Sequence, residues 1–293
     1  MNKLFATRKN PYIPQRDQFE TVKIDLSGTK LSLKLPPHSS MGSFAEDPIP
    51  TKVNIFNEQQ YTTDDHVPDW QREGVSFYTL INRDWELRGP IWRERPYGKV
   101  SFYVGVNKQE TLPSSMSCFN PAHLEQLVRR HIYFGGPACP GSYKTIAPVN
   151  WKVHQDQCTW LYYEAHRDFR EREITPENAY EQANLYNYLF IPLSQSHYID
   201  ISFRYLGYAP AEYCLENMNR LRDQVLAHIN CQLSTSAQQE LATAKQRWPE
   251  ATASTTREPE QWTYPEWREP NHLKGEIGTV ILKPGSPPPP FTP

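Results

Sequence analysis

The clearest alternation of apolar and polar positions lies at residues 199–205, where Ile199, Ile201, Phe203 and Tyr205 alternate with Asp200, Ser202 and Arg204. A period of two places one set on a buried face and the other toward water, the mark of a half-buried strand. The preceding run, residues 188–193, is apolar at both parities, which predicts a central strand covered on both faces. Residues 194–197 supply a polar turn between the two. Beyond Gly207 the period changes. Cys214, Met218, Leu221, Val225 and Ile229 recur at steps of four, three, four and four, one stripe of a helix that starts at Pro210. Asn217, Arg220, Asp223 and Gln224 lie off that stripe.

The rest of the chain follows the same two periods. Residues 1–20 read as an irregular arm. Residues 21–27 and 29–35 flank Ser27-Gly28 as a hairpin, with Val22, Ile24 and Leu26 on one strand and Leu31, Leu33 and Leu35 on the other, stopped by Pro36-Pro37. A loop at 38–50, a short strand at 53–56 and an irregular polar stretch at 57–73 follow. Strands are predicted at 74–81 and 99–106, with residues 85–88 continuing the first or pairing with it. Asn120 and Pro121 open a helix whose stripe is Leu124, Leu127, Val128 and Ile132, closed by Gly135-Gly136. A loop at 137–148 precedes strands at 151–154 and 159–165. A charged stretch at 167–182 holds one helical turn after Pro176, and a less apolar helix is expected at 236–247.

From Trp248 the pattern fades, and residues 248–293 hold ten of the 27 prolines, ending in GSPPPPFTP. That composition predicts a semi-extended tail rather than a second folded domain. The fold class is α+β, a mainly antiparallel sheet with two principal helices packed on it, over residues 21–247. Each half runs strands and then a helix, which leaves open two similar subdomains split near 140–150.

Composition narrows the partners. With 31 basic and 33 acidic residues the net charge is −2, and nothing points to nucleic acid. Aromatics reach 13%, so rings are expected to fill much of the core. The mean hydropathy is −0.71, and no apolar run approaches the ~20 residues of a membrane span. The first residues lack the apolar segment of a signal peptide, giving a cytoplasmic expectation. The five cysteines, 118, 139, 158, 214 and 231, form no CxxC pair and read as reduced structural thiols.

Chemical motifs are sparse. There is no GxGxxG, GxxxxGK[ST] or GxSxG, so no nucleotide cofactor, no other cofactor, no metal and no catalytic residue is assigned. His123 and His131, eight apart on a helix, stand ~80° from each other and read as packing or surface residues. Cys118 and Cys139 flank that helix in loops, where a lowered thiol pKa is the only route to a nucleophile. His197 sits beside Ser194 and Ser196 without a third catalytic partner. His154, Glu164 and His166, on neighbouring strands, form an alternative polar site for a hydrolase-like enzyme or a small-molecule binder. Residues 83–98, RDWELRGPIWRERPYG, bring together Trp85, Arg88, Trp92, Arg93, Arg95 and Tyr97 beside Arg83, and Trp160 opens a similar mixture at 160–173. Trp, Tyr and Arg are enriched at binding hot spots, so these residues are the candidate contacts to another protein. The competing reading is arginine stems lying over an aromatic core.

The segments LSLKLPP (31–37) and YLFIPLSQSHYIDISFRYLG (188–207), with the helix stripe of Cys214, Met218, Leu221 and Val225, resemble the PsbP/DcrB-like α+β fold. The likeness covers residues 21–35 and 186–230, and the middle of the chain is longer than one such domain needs. It implies a non-enzymatic protein, and among bacterial relatives a chaperone or an accessory protein of contractile (type VI) secretion. An immunity protein that masks a toxin or secreted effector is a reading of the same class. No functional residue is carried over, and the oligomeric state stays open.

Overall fold

The computed structural model describes residues 3–40, 46–63, 74–137, 144–169, 173, 175 and 179–293. Among these the chain forms twelve strands and three α-helices of an α+β fold. The largest sheet has six antiparallel strands in the order β4-β5-β9-β8-β7-β6. They are β4 (Val75–Leu87), β5 (Gly98–Gln109), β6 (Thr145–Gln155), β7 (Thr159–Arg167), β8 (Leu185–Pro192) and β9 (His197–Gly207). Strand β5 pairs with β9 from Gly98↔Gly207 to Lys108↔His197, so strands from before and after α1 share one sheet. A second sheet, in the order β10-β2-β1-β3, combines β1 (Glu20–Leu26), β2 (Thr29–Leu35), β3 (Lys52–Val53) and β10 (Asn230–Gln232).

The period-two pattern settles which residues meet. Val100, Phe102, Val104 and Val106 of β5 lie opposite Tyr205, Phe203, Ile201 and Ile199 of β9, and all eight are buried on one face. That face packs in one cluster with Ile24, Leu26, Leu31, Leu33 and Leu35 of the small sheet. Cys214, Met218, Leu221 and Val225 of α2 (Ala211–Leu226) complete it. Pro210 is the N-cap of α2, so the helix starts one residue later than the sequence suggests. The opposite face meets α1 (Pro121–Gly135), whose Leu124, Leu127, Val128 and Ile132 pack on Trp151, Leu161, Tyr163, Phe190 and Tyr198. Asn120 caps α1 by accepting from the amides of Ala122 and His123. Helix α3 (Thr235–Arg247), capped by Ser234, adds Ala237, Leu241 and Ala244 to a third cluster with Phe119, Cys158 and Leu233.

Several elements differ from the sequence expectation. Strand β6 begins at Thr145, inside the stretch read as loop to 148. The tail contains a hairpin of β11 (Glu266–Arg268) and β12 (Val280–Lys283), and on either side of it lies along α1. Arg129 donates to Glu260 at 2.8 Å, Arg257 pairs with Glu125, and the Trp151 indole donates to the Ser254 carbonyl at 2.7 Å. Among the described residues no helix is long and apolar enough to cross a membrane.

Candidate functional site

Glu164, on the face of β7 that α2 covers, is the centre of the main buried polar cluster. Its Oε1 accepts from Tyr162 Oη at 2.8 Å and Arg222 Nη1 at 2.9 Å, and its Oε2 from Asn150 Nδ2 at 3.0 Å. His166 Nε2 lies 2.8 Å from the same Oε2. Asn187, fully buried opposite Glu164 on β8, accepts from Arg222 at 2.8 Å, and its Oδ1 lies 3.0 Å from the Tyr162 hydroxyl. Burial works against the charge, but these donors and the Arg222 guanidinium outweigh it and hold the Glu164 carboxyl down at about 2. Burial is also the main cause of the raised Tyr162 hydroxyl. A carboxylate so fully engaged has no proton to give near neutral pH and no spare lone pair for a substrate. The cluster ties α2 to the sheet.

The alternative polar site is divided. Glu164 and His166 meet, while His154 lies exposed on the β6–β7 hairpin opposite Trp160, away from Glu164, which is opposite Val149. His154 instead borders a cleft of about 480 Å³ between the β6–β7 hairpin and the C-terminal end of α2. Its floor is Trp160, Tyr162 and Leu189, with Lys152 Nζ 5.3 Å from the centre of the Tyr162 ring, and Asp223 and Leu226 form the facing wall. A second cleft of about 500 Å³ lies on the other face below the end of α1, lined by His131, Phe134, Tyr163, Tyr186, Tyr188 and Arg204. The Tyr186 and Tyr188 rings are parallel there at 5.8 Å, with the Arg204 guanidinium 5.5 Å from the Tyr186 ring centre.

The aromatic and arginine candidates separate by burial. Trp85 is fully buried, and its indole donates to the Pro36 carbonyl at 3.0 Å. Tyr97 is buried beneath the guanidinium of Arg93, 4.8 Å from its ring centre. These two serve packing, because a long strand pair needs large apolar side chains on its covered face. Arg83 is buried too, paired with Glu20 and Glu46 at 2.6 Å each and donating to the Pro36 carbonyl. Arg88 pairs with Glu86 at 3.0 Å and donates to the Ser39 carbonyl. Trp160 is half-buried in the cleft. Exposed at the tip of the β4–β5 hairpin are Trp92, Arg93 and Arg95, with Ile91 beside them.

The remaining histidines, serines and cysteines make internal contacts. Ser194 Oγ stands 2.8 Å and Ser196 Oγ 3.3 Å from His197 Nδ1, a Ser–His contact made within one turn. The His197 ring packs edge-on to Phe56 at 5.4 Å, and its Nε2 is buried without a hydrogen-bond partner among the described residues. Burial and Lys108 lower its pKa to about 4, so the ring is neutral at pH 7. His123 is buried, with Nδ1 accepting from the Ser117 amide and its ring edge-on to Trp248. His131 packs edge-on to Tyr188 and Phe190. Cys118, Cys158, Cys214 and Cys231 are buried free thiols, and burial pushes Cys118 up to about 12, the reverse of an activated nucleophile. Cys139 lies outside the described residues. Among the described residues no group of three His, Cys, Asp or Glu side chains is placed to hold a metal ion.

Sequence reasoning missed Arg222 and Asn187. Arg222 follows Met218 by four on the buried side of α2, and an arginine at such a place signals a buried carboxylate. Asn187 stands among apolar neighbours at the start of a central strand, where a side-chain amide needs an internal partner. Comparison with family models, with curated proteins and with solved structures yields no match for the chain.

Proposed function

We propose that the protein is a non-enzymatic protein-binding module. The observation that carries this reading is that five of its exposed large apolar side chains stand on two hairpins. Ile91 and Trp92, 59% and 75% exposed, occupy the tip of the β4–β5 hairpin. Leu273, Ile277 and Leu282, 100%, 95% and 62% exposed, belong to the β11–β12 hairpin and its connection. An isolated two-stranded hairpin is marginal in water, and large apolar groups held on a hairpin mark a contact surface. Trp92 with Arg93 and Arg95 has the composition of a binding hot spot. The saturated Glu164, the neutral His197 and the buried thiols supply no competing catalytic group. The finer reading is an immunity protein that masks a toxin, or a chaperone-like accessory of a secretion assembly. Its support is the likeness of residues 21–35 and 186–230 to the PsbP/DcrB-like fold.

The test places a photo-crosslinking residue at position 92 or 277 in the native host, with position 239 on the exposed side of α3 as control. One polypeptide is expected at 92 or 277 and not at 239, and Trp92→Ala is expected to weaken its binding to the purified protein at least tenfold. Equal capture at all three positions, or unchanged affinity, would overturn the reading. The cleft beside Trp160 favours a second reading, a small-molecule binder, since its size and aromatic floor suit a compact ligand. A metabolite that quenches Trp160 fluorescence in the wild type but not after Trp160→Phe would support it.

A further inference from the structure

The end of the tail meets α1 in a regular way. Gln126, Arg130 and Tyr133 follow one another by four and three, so they form one stripe of α1, directly opposite the buried stripe of Leu124, Leu127, Val128 and Ile132. Gln126 Nε2 donates to the Thr292 carbonyl at 2.9 Å, Arg130 Nη1 to the Pro289 carbonyl at 2.7 Å, and Tyr133 Oη to the Ser286 carbonyl. The accepted carbonyls are three residues apart. Three residues is the repeat of the polyproline II helix, the form that four consecutive prolines, 287–290, favour by fixing φ and removing the N–H. The stripe therefore reads one edge of a polyproline helix through its backbone. The aromatic residue after the prolines adds a second contact, because the Arg130 guanidinium lies 4.7 Å from the Phe291 ring centre. The Gln126 side-chain oxygen accepts from the Thr292 amide at 2.7 Å, which fixes the register.

None of residues 283–293 is buried. Phe291 packs half-buried against the edge of the α1 cluster, and the tail end leaves without exposing a fully buried side chain of its own. Recognition through carbonyls and one ring does not depend on which protein supplies them.

We infer that the outer stripe of α1 is a recognition surface for proline-rich segments, occupied in cis by residues 286–292, and that it takes a partner's segment of the form proline run plus aromatic when the tail is displaced. This surface is separate from the two hairpins, so either assignment can fail while the other stands. The cis tail competes at the high effective concentration of a tethered ligand, which sets how strongly a partner must bind.

The test uses the full chain with Pro287→Gly, Pro288→Ser, Pro289→Gly and Pro290→Ser, and a fluorescent peptide with the sequence of residues 284–293, read by anisotropy. Saturable binding is expected, at least tenfold tighter than to the wild-type chain, whose own tail blocks the stripe. Adding Arg130→Ala to the tail variant is expected to weaken binding at least tenfold. Arg130→Lys is not expected to rescue it, because an ammonium lacks the planar face that lies over the ring. A peptide carrying Phe291→Ala separates loss of the contact from damage to α1, and it too is expected to bind at least tenfold more weakly. Absence of saturable binding, equal binding to both chains, or affinity indifferent to both Arg130 and Phe291 would each overturn the inference. A concentration-dependent dimer of the wild type that the tail substitutions abolish would support it and identify a second copy's tail as a partner.

Discussion

Glu164 keeps its charge inside the protein because Arg222, Tyr162 and Asn150 donate to it and His166 lies in contact. Removing one partner of such a pair leaves the other buried and uncompensated, which costs about 3–5 kcal/mol. Arg222→Ala is therefore expected to lower stability by that amount in urea unfolding at pH 7, and a loss below ~1 kcal/mol would mean that the pair behaves as a surface pair. His197 gives a pH prediction of definite sign. Its folded pKa, about 4, lies below the 6.5 of a free histidine, so the unfolded chain takes up a proton first as pH falls. Its contribution is complete above pH ~6.5 and is lost as pH falls toward 4. Between pH 7 and 5 that amounts to roughly 2 kcal/mol. Glu164 changes protonation only lower, its contribution present above pH ~4.5 and lost toward 2. Denaturant unfolding of wild type and His197→Asn at both pH values should show a flatter profile for the variant. Equal slopes would mean that His197 binds its proton alike in the folded and unfolded chain.

At the level of elements, legibility followed the regularity of each pattern. Strands β5 and β9 and both principal helices were readable because one period holds along each of them. Strand β4 was not read whole. Its register slips at Leu80, so Tyr78 faces Val106 while Ile81 faces Val104, and the buried parity changes from Ser76 and Leu80 to Ile81, Arg83, Trp85 and Leu87. A β-bulge produces that shift, and to a period-two reading it looks like the end of a strand. For the same reason the sequence leaves Trp85 and Arg83 open between contact residues and an aromatic core, since a parity that changes cannot say which way a side chain points. The tail hairpin was hidden because its strands are three and four residues long. How the tail docks depends on contacts distant in sequence. At the end of α1, Gly136 lies under Trp262, and a Cβ there would come within 2.5 Å of the indole. Gly136→Ala is expected to push Trp262 off the helix at a cost of about 1–3 kcal/mol. Hydrogen exchange should speed up over residues 257–268 and stay unchanged in β5 and β9. Unchanged exchange in the tail would mean that Trp262 is not what holds it.

For the whole molecule, the helices, the small sheet and the tail cover the large sheet. Ile91, Trp92, Leu273, Ile277 and Leu282 stand out from this body on hairpins, while Leu4, Phe5, Phe56 and Tyr208 are exposed elsewhere. The β11–β12 hairpin is held closed by polar means, with Arg268 donating to both carboxylate oxygens of Glu276 at 2.6 and 2.7 Å. Leu273 and Ile277 add nothing to that closure, being almost wholly in water. Stability and association therefore separate at these two positions. Surface changes away from special features shift stability by no more than about 0.5 kcal/mol. Leu273→Asp with Ile277→Asp is expected to leave the unfolding free energy in urea within that range and to weaken partner binding or self-association at least tenfold. A marked fall in stability would instead place both side chains in the hairpin's own packing. Unchanged stability with unchanged association would leave Trp92 and its neighbours as the contact surface, and would restrict the binding role to the β4–β5 hairpin.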